Sequence, residues 1–178
     1  MKKLLFILLA LAYETAEVYF PPTGLSAESL LAGRAIAGEQ IPYRDFFLHI
    51  GPLPAYLFAG LFKLWPHMNY LGCSFVFSIF TWLTAWAIYS IADRHMSKDA
   101  ALLSVVLFLV ANRIFDGTRM FPETIMTCFI SLAWLGWDRD DMLLMIASCL
   151  LALATKQSAI FWVLGLGGIC LNEVLYRR

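Results

Sequence analysis

From Tyr70 to Ala92 the chain carries no charged residue. Wound as an α-helix at about 1.5 Å per residue, a stretch of that length crosses a hydrocarbon layer of roughly 30 Å. It is the strongest transmembrane segment of the sequence, and it sets the reading of the rest. Hydrophobic residues make up 61% of the chain and charged residues 15%, where a soluble domain has about a quarter charged. The mean hydropathy is +0.72. The apolar residues fall in blocks, at 97–115, 121–137, 142–155 and 157–174. These blocks are thin for spans, so tilt, local thinning or burial among other helices must help them. The expected fold is therefore all-α, a polytopic integral membrane helix bundle.

The start, "MKKLLFILLALA", reads as a first transmembrane helix to about residue 20 or as a signal peptide. Either way residue 21 lies outside the cytoplasm. Residues 21–69 then form an extracytoplasmic loop, and 70–178 supply about five further membrane helices. With the N-terminus cytoplasmic, seven of the thirteen Lys and Arg residues fall inside and six outside. The positive-inside rule supports this orientation only weakly. An anionic ligand at the outer face would give the outer cations, Arg34 and Lys63 among them, a reason to be there.

The formal net charge is zero, which gives no electrostatic case for nucleic acid. Cys73, Cys128, Cys149 and Cys170 each sit in an apolar block with no CxxC pair, as small buried hydrophobes do. No His, Cys and Asp spacing marks a structural metal site. No GxSxG, Walker loop or GxGxxG is present.

The long outer loop is the polar exception. In "IPYRDFFLHIGPLPAYL" an arginine, an aspartate and a histidine are followed by two prolines. Downstream, residues 52–65 are apolar but too short to span, which favours an interfacial or re-entrant helix opened by Pro52. Upstream, "AESLLAGRAIA" reads as a second surface helix, with Ser26 as N-cap and Gly38 as its stop.

Three stretches, in order, resemble a known family: "GEQIPYRDFFLHIGPLPAYLFAGLFKLW", "MFPETIMTCFISLAWLGW" and "LLALATKQSAIFWVLGLG". They are similar to the GT-C-fold membrane glycosyltransferases, in particular the bacterial relatives of protein O-mannosyltransferases and aminoarabinose transferases. The resemblance covers about the first half of the membrane domain of such a protein. It implies inverting transfer of a sugar from a polyprenyl-phosphate-linked donor to an acceptor at the extracytoplasmic face of the bacterial inner membrane. It implies membrane lipids and the lipid-linked sugar as partners, and leaves the acceptor open. No cofactor is certain, though a divalent cation could bridge phosphate and carboxylate. Two departures stand against it. The acid usual near the start of the outer loop is missing from "PPTGLS", and the chain is short for the family.

Glycosyl transfer needs a carboxylate base and cations for the departing phosphate. Asp45 is the first choice for the base and Glu28 the second; their plainer roles are a loop-shaping ion pair and a solvated helix face. Arg44, Arg113, Arg119 and Lys156 are the candidate phosphate ligands. Arg113 and Arg119 could equally snorkel at helix ends. Lys156 interrupts a long apolar run, and a charge at such depth costs about 2.5–3.5 kcal/mol on insertion scales. His49, Tyr43, Asp116 and Glu123 are candidates for sugar or acceptor contacts, with Glu123 equally suited to capping a helix that starts at Pro122. A second reading is a non-catalytic membrane protein: a degenerate fragment, an assembly subunit or a small transporter.

Overall fold

A computed structural model describes residues 24–48, 50–114 and 122–176. Seven helices occupy them: α1 (Gly24–Ala37), α2 (Pro52–Leu64), α3 (Tyr70–His95), α4 (Lys98–Ile114), α5 (Pro122–Asp138), α6 (Met142–Thr155) and α7 (Ala159–Tyr176). The helix ends follow local chemistry. Asn69 caps α3 by accepting the Gly72 N–H at 3.0 Å, and Asp141 caps α6 by accepting the Leu144 N–H at 3.0 Å. Pro52 and Pro122 open α2 and α5, where a missing N–H costs nothing.

Two helices stop by the same device. After α1, Gln40 N–H donates to the Ala35 carbonyl and Glu39 N–H to Ile36; after α5, Asp141 N–H donates to Gly136 and Asp140 N–H to Trp137. These are Schellman closures, whose turning residue takes a positive φ. That residue is Glu39 at 70° and Asp140 at 56°. The expected stop at Gly38 is thus displaced by one residue, and Ser26 lies inside α1 rather than capping it.

The core is built around α2. Phe58 is fully buried, and its ring stacks on Phe77 of α3 with centroids 5.4 Å apart. Phe62, Cys73 and Ile125 complete this cluster. Gly33 lets α1 lie directly on α2, since a Cβ there would collide with Phe58. Gly136 does the same in the α5–α6 hairpin, where a Cβ would lie 2.6 Å from the Met145 backbone nitrogen. Gly51 brings the loop before α2 against the carbonyls of Ala154 and Thr155 at the end of α6. Ala85, Val105 and Leu109 join α3 to α4.

The α3 helix turns small and hydroxyl residues inward. Ser74, Ser78, Thr81 and Thr84 are buried, while Leu71, Phe75, Ile79, Leu83 and Trp86 are exposed. Ser78 and Thr84 donate to the carbonyls of Ser74 and Phe80, one turn back. Those bonds satisfy hydroxyls that would be costly to bury alone.

These findings correct the expected fold. Among the described residues only Tyr70–His95 combines the length and hydropathy of a membrane span, and 44% of its apolar window is buried within the protein. The α6 helix has 14 residues, a rise of about 21 Å against roughly 30 Å of hydrocarbon. The α2 helix, expected to lie at an interface, buries one face within the bundle through Pro54, Ala55, Phe58, Ala59 and Phe62. A polytopic bundle of GT-C type, with surface-lying loop helices and a multi-pass inner-membrane location, is replaced by a bundle in which the seven described helices pack through α1 on α2, α3 on α5 and α5 on α6. The expected first membrane helix or signal at residues 1–20 lies outside the described residues.

Candidate functional site

The polar segment after α1 folds on itself. Arg44 and Asp45 N–H groups both donate to the Ile41 carbonyl, and Tyr43 N–H donates to Phe46. The Asp45 carboxylate closes the turn by accepting the Ile41 N–H at 2.8 Å. Arg44 donates to both oxygens of Asp45, from Nε at 2.9 Å and Nη2 at 2.8 Å. This fork, with the Ile41 N–H added, holds the Asp45 carboxyl below the usual carboxylate range. The same pairing raises the Arg44 guanidinium. Tyr43, at φ 65°, is exposed and meets the Phe47 ring edge-on at 6.0 Å. Both charges of this turn are committed to each other.

Lys156 and Glu123 form an ion pair. Lys156 follows the last residue of α6, and Glu123 lies in the first turn of α5. A carboxylate there complements the helix dipole, and the lysine ties the α6–α7 turn to it. Ser158 in the same turn contacts the Met126 sulfur at 3.7 Å. Glu28 is half-buried on α1 and already engaged. Arg113 lies in the last turn of α4, with its side chain outside the described residues, as are His49, Asp116 and Arg119. Among the described candidates, then, the fold joins Arg44 to Asp45 and Glu123 to Lys156.

A third cluster did not emerge from the sequence as a site. The α3 and α5 helices end side by side, and His95 Nε2 meets Asp138 Oδ1 at 2.5 Å, with Arg94 Nη1 3.4 Å from Oδ2. The Asp138 side chain is 8% exposed, and its Oδ2 accepts no hydrogen bond. The next three residues are equally committed. Arg139 stacks over Trp86 at 5.6 Å, Asp140 makes the left-handed turn and Asp141 caps α6. The signal was present in "DRH" and "DRDD", opposite charges at the ends of helices that a bundle brings together.

An open cleft lies elsewhere, where α1, α2 and the start of α3 meet. One lobe, about 230 Å³, is lined by Leu30, Phe62, Met68, Tyr70 and Cys73. A second, about 410 Å³, is lined by Ala37, Gly38, Lys63 and Pro66. Arg34 and Phe62 belong to both lobes. The Arg34 guanidinium sits 5.1 Å from the centre of the Phe62 ring.

No family model, no curated protein and no solved structure matches this chain. With one span-length helix among the described residues and no matching relative, the resemblance to GT-C glycosyltransferases is withdrawn. With it go the lipid-linked sugar transferase activity, the polyprenyl-phosphate donor and membrane lipids as partners, and the multi-pass membrane reading of the non-catalytic alternative. Among the described residues no three His, Cys, Asp or Glu side chains converge on a point that could hold a metal ion.

Proposed function

We propose that the protein is a helical assembly module that pairs with a second copy of itself through α7. The observation that carries this reading is how little of α7 the bundle covers. Among its described residues only Ala159 and Leu166 are buried, while Phe161 (76% exposed), Leu164 (65%) and Leu171 (59%) face outward. A helix apolar on all sides is ordinarily a buried helix. At Gly165, Gly167 and Gly168 a Cβ would meet nothing within 4 Å beyond its chain neighbours and its own helix backbone, so a second backbone can approach closely there. Two-fold pairing covers the same patch on both copies and needs no other chain.

The test is the mass of the full chain by light scattering, with Leu164→Cys as a cross-linking site. The expected result is a dimer that Leu164→Glu with Leu171→Glu converts to monomer, and a Leu164→Cys disulfide between copies. A monomeric unaltered chain, or a dimer unaffected by both charges, overturns the reading.

A further inference from the structure

We propose that the cleft between α1, α2 and the start of α3 binds a monocarboxylate with a short apolar tail. Its two lobes divide the ligand chemically. The inner lobe is mostly apolar, walled by Leu30, Phe62, Met68, Tyr70 and Cys73 with Asn69 and Arg34 as its polar members, and offers about 230 Å³. That is roughly eight times the volume of a water molecule in the liquid, taken as about 30 Å³. It matches an alkyl chain of moderate length. The outer lobe carries Lys63 beside Arg34.

The two cations are what make the cleft more than an apolar depression. Among the described residues neither Arg34 nor Lys63 has a carboxylate partner, whereas Arg44 and Lys156 are each paired. The guanidinium carbon of Arg34 lies over the Phe62 ring. Its fork of N–H donors suits a planar, bidentate acceptor, the geometry a carboxylate presents. Lys63 adds a second positive charge from the adjoining helix. An anionic head in the outer lobe, with its tail in the inner lobe, neutralises the unpaired cations and buries the apolar wall in one step. The site is independent of α7 and stands whether or not the chain pairs with itself.

The experiment is calorimetric titration of the full chain with sodium octanoate below its micellar concentration, beside 1-octanol as the uncharged counterpart. Octanoate is expected to bind saturably at one site, at least tenfold more tightly than octanol. Arg34→Ala should weaken octanoate at least tenfold. Arg34→Lys should fall between, because it keeps the charge and loses the fork, and Lys63→Gln should weaken binding several-fold. Leu164→Glu should leave it unchanged. Octanol binding as tightly as octanoate, no saturable octanoate binding, or unaltered affinity in both Arg34→Lys and Lys63→Gln would each overturn the proposal. Circular dichroism checks the fold of each variant. If Arg34→Ala does not fold, the other two substitutions, both at exposed side chains, decide the question.

Discussion

The α6 and α7 helices are neighbours in the chain and alike in composition, yet the protein treats them differently. The α6 helix is clamped in a hairpin with α5, and Met145, Ser148, Ala152 and Thr155 are buried along one face. The α7 helix touches that hairpin mainly through Leu166, which packs with Ala133 and Met145. Both are predominantly apolar; what differs most is what surrounds them. Hydrophobicity says that a surface will be covered, and only packing says by what. The glycines show the same contrast at atomic scale. Gly136 faces a backbone it almost touches, and Gly165 faces open space.

The strongest way to break the comparison is therefore to add one methyl group on each side of it. Gly136→Ala must push the α5–α6 hairpin apart, since its new carbon would lie 2.6 Å from the Met145 nitrogen. Overpacking of this kind costs about 1–3 kcal/mol. Gly165→Ala meets nothing and replaces a poor helix former by the best one, for a gain of up to about 1 kcal/mol. Chemical denaturation of both variants measures the difference. Equal and opposite signs from those stated would mean that α7, not the hairpin, is the packed element. If α7 pairs as proposed, Gly165→Ala should also weaken the dimer, which light scattering reads separately.

Next in size is the latch beside the turn of the same hairpin. Asp138→Ala removes the acceptor of His95 and the counter-charge of Arg94. Hydrogen bonds to charged groups contribute about 1.5–3 kcal/mol, and the partners here are half-exposed, so a loss near the lower figure is expected. A change within experimental error would mean that α5 is held by its α3 and α6 contacts alone.

Cysteine reactivity sharpens the comparison without a stability measurement. Cys128 of α5 is fully buried, and burial pushes its thiol up to about 12. The thiolate is the nucleophile, so Cys128 should resist alkylation near neutral pH. Cys170 on α7 is only half-buried and should react first. Cys149 of α6, raised by burial and by its neighbour Cys170, should come between. Cys128 reacting as fast as Cys170 would show that the hairpin opens as readily as α7 separates from it.

Much of the helix pattern was legible in the sequence. The predicted block at 142–155 coincides with α6, and those at 97–115 and 121–137 differ from α4 and α5 by a residue at each end. Periodicity and caps are local, so the residues state them directly. What the apolar blocks pack against is not local. An uncharged run such as Tyr70–Ala92 reads the same whether lipid or protein surrounds it, and the inward row of Ser74, Ser78, Thr81 and Thr84 was the clue that protein surrounds part of it. The polar residues suffered the same ambiguity. Asp45, Arg44, Glu123 and Lys156 were picked out one at a time, but their pairings depend on a turn and on a helix–helix approach. Arg34 and Lys63 were counted only as outer cations, because the cleft between them exists only once α1 crosses α2.

The smallest expected effect concerns the Ile41–Asp45 turn, which is held by its own bonds much as α7 is left to its own surface. Arg44 first, and the Ile41 N–H second, lower the Asp45 pKa. A carboxyl depressed in the folded state contributes its full stabilisation above its unfolded value of about 3.9 and loses it as pH falls through the depressed value. The turn should therefore stay closed through mildly acid conditions and open only below the ordinary carboxylate range. The Ile41 amide resonance reports this directly, since its N–H is the donor to Asp45. Its titration midpoint should lie below that of an unperturbed aspartate, and Asp45→Asn should abolish the step. High salt, which screens exposed charges, should move the midpoint back toward the ordinary value. A midpoint already at the ordinary value in low salt would mean that the Arg44 fork does not persist in solution, and that this turn is as loosely held as the uncovered face of α7.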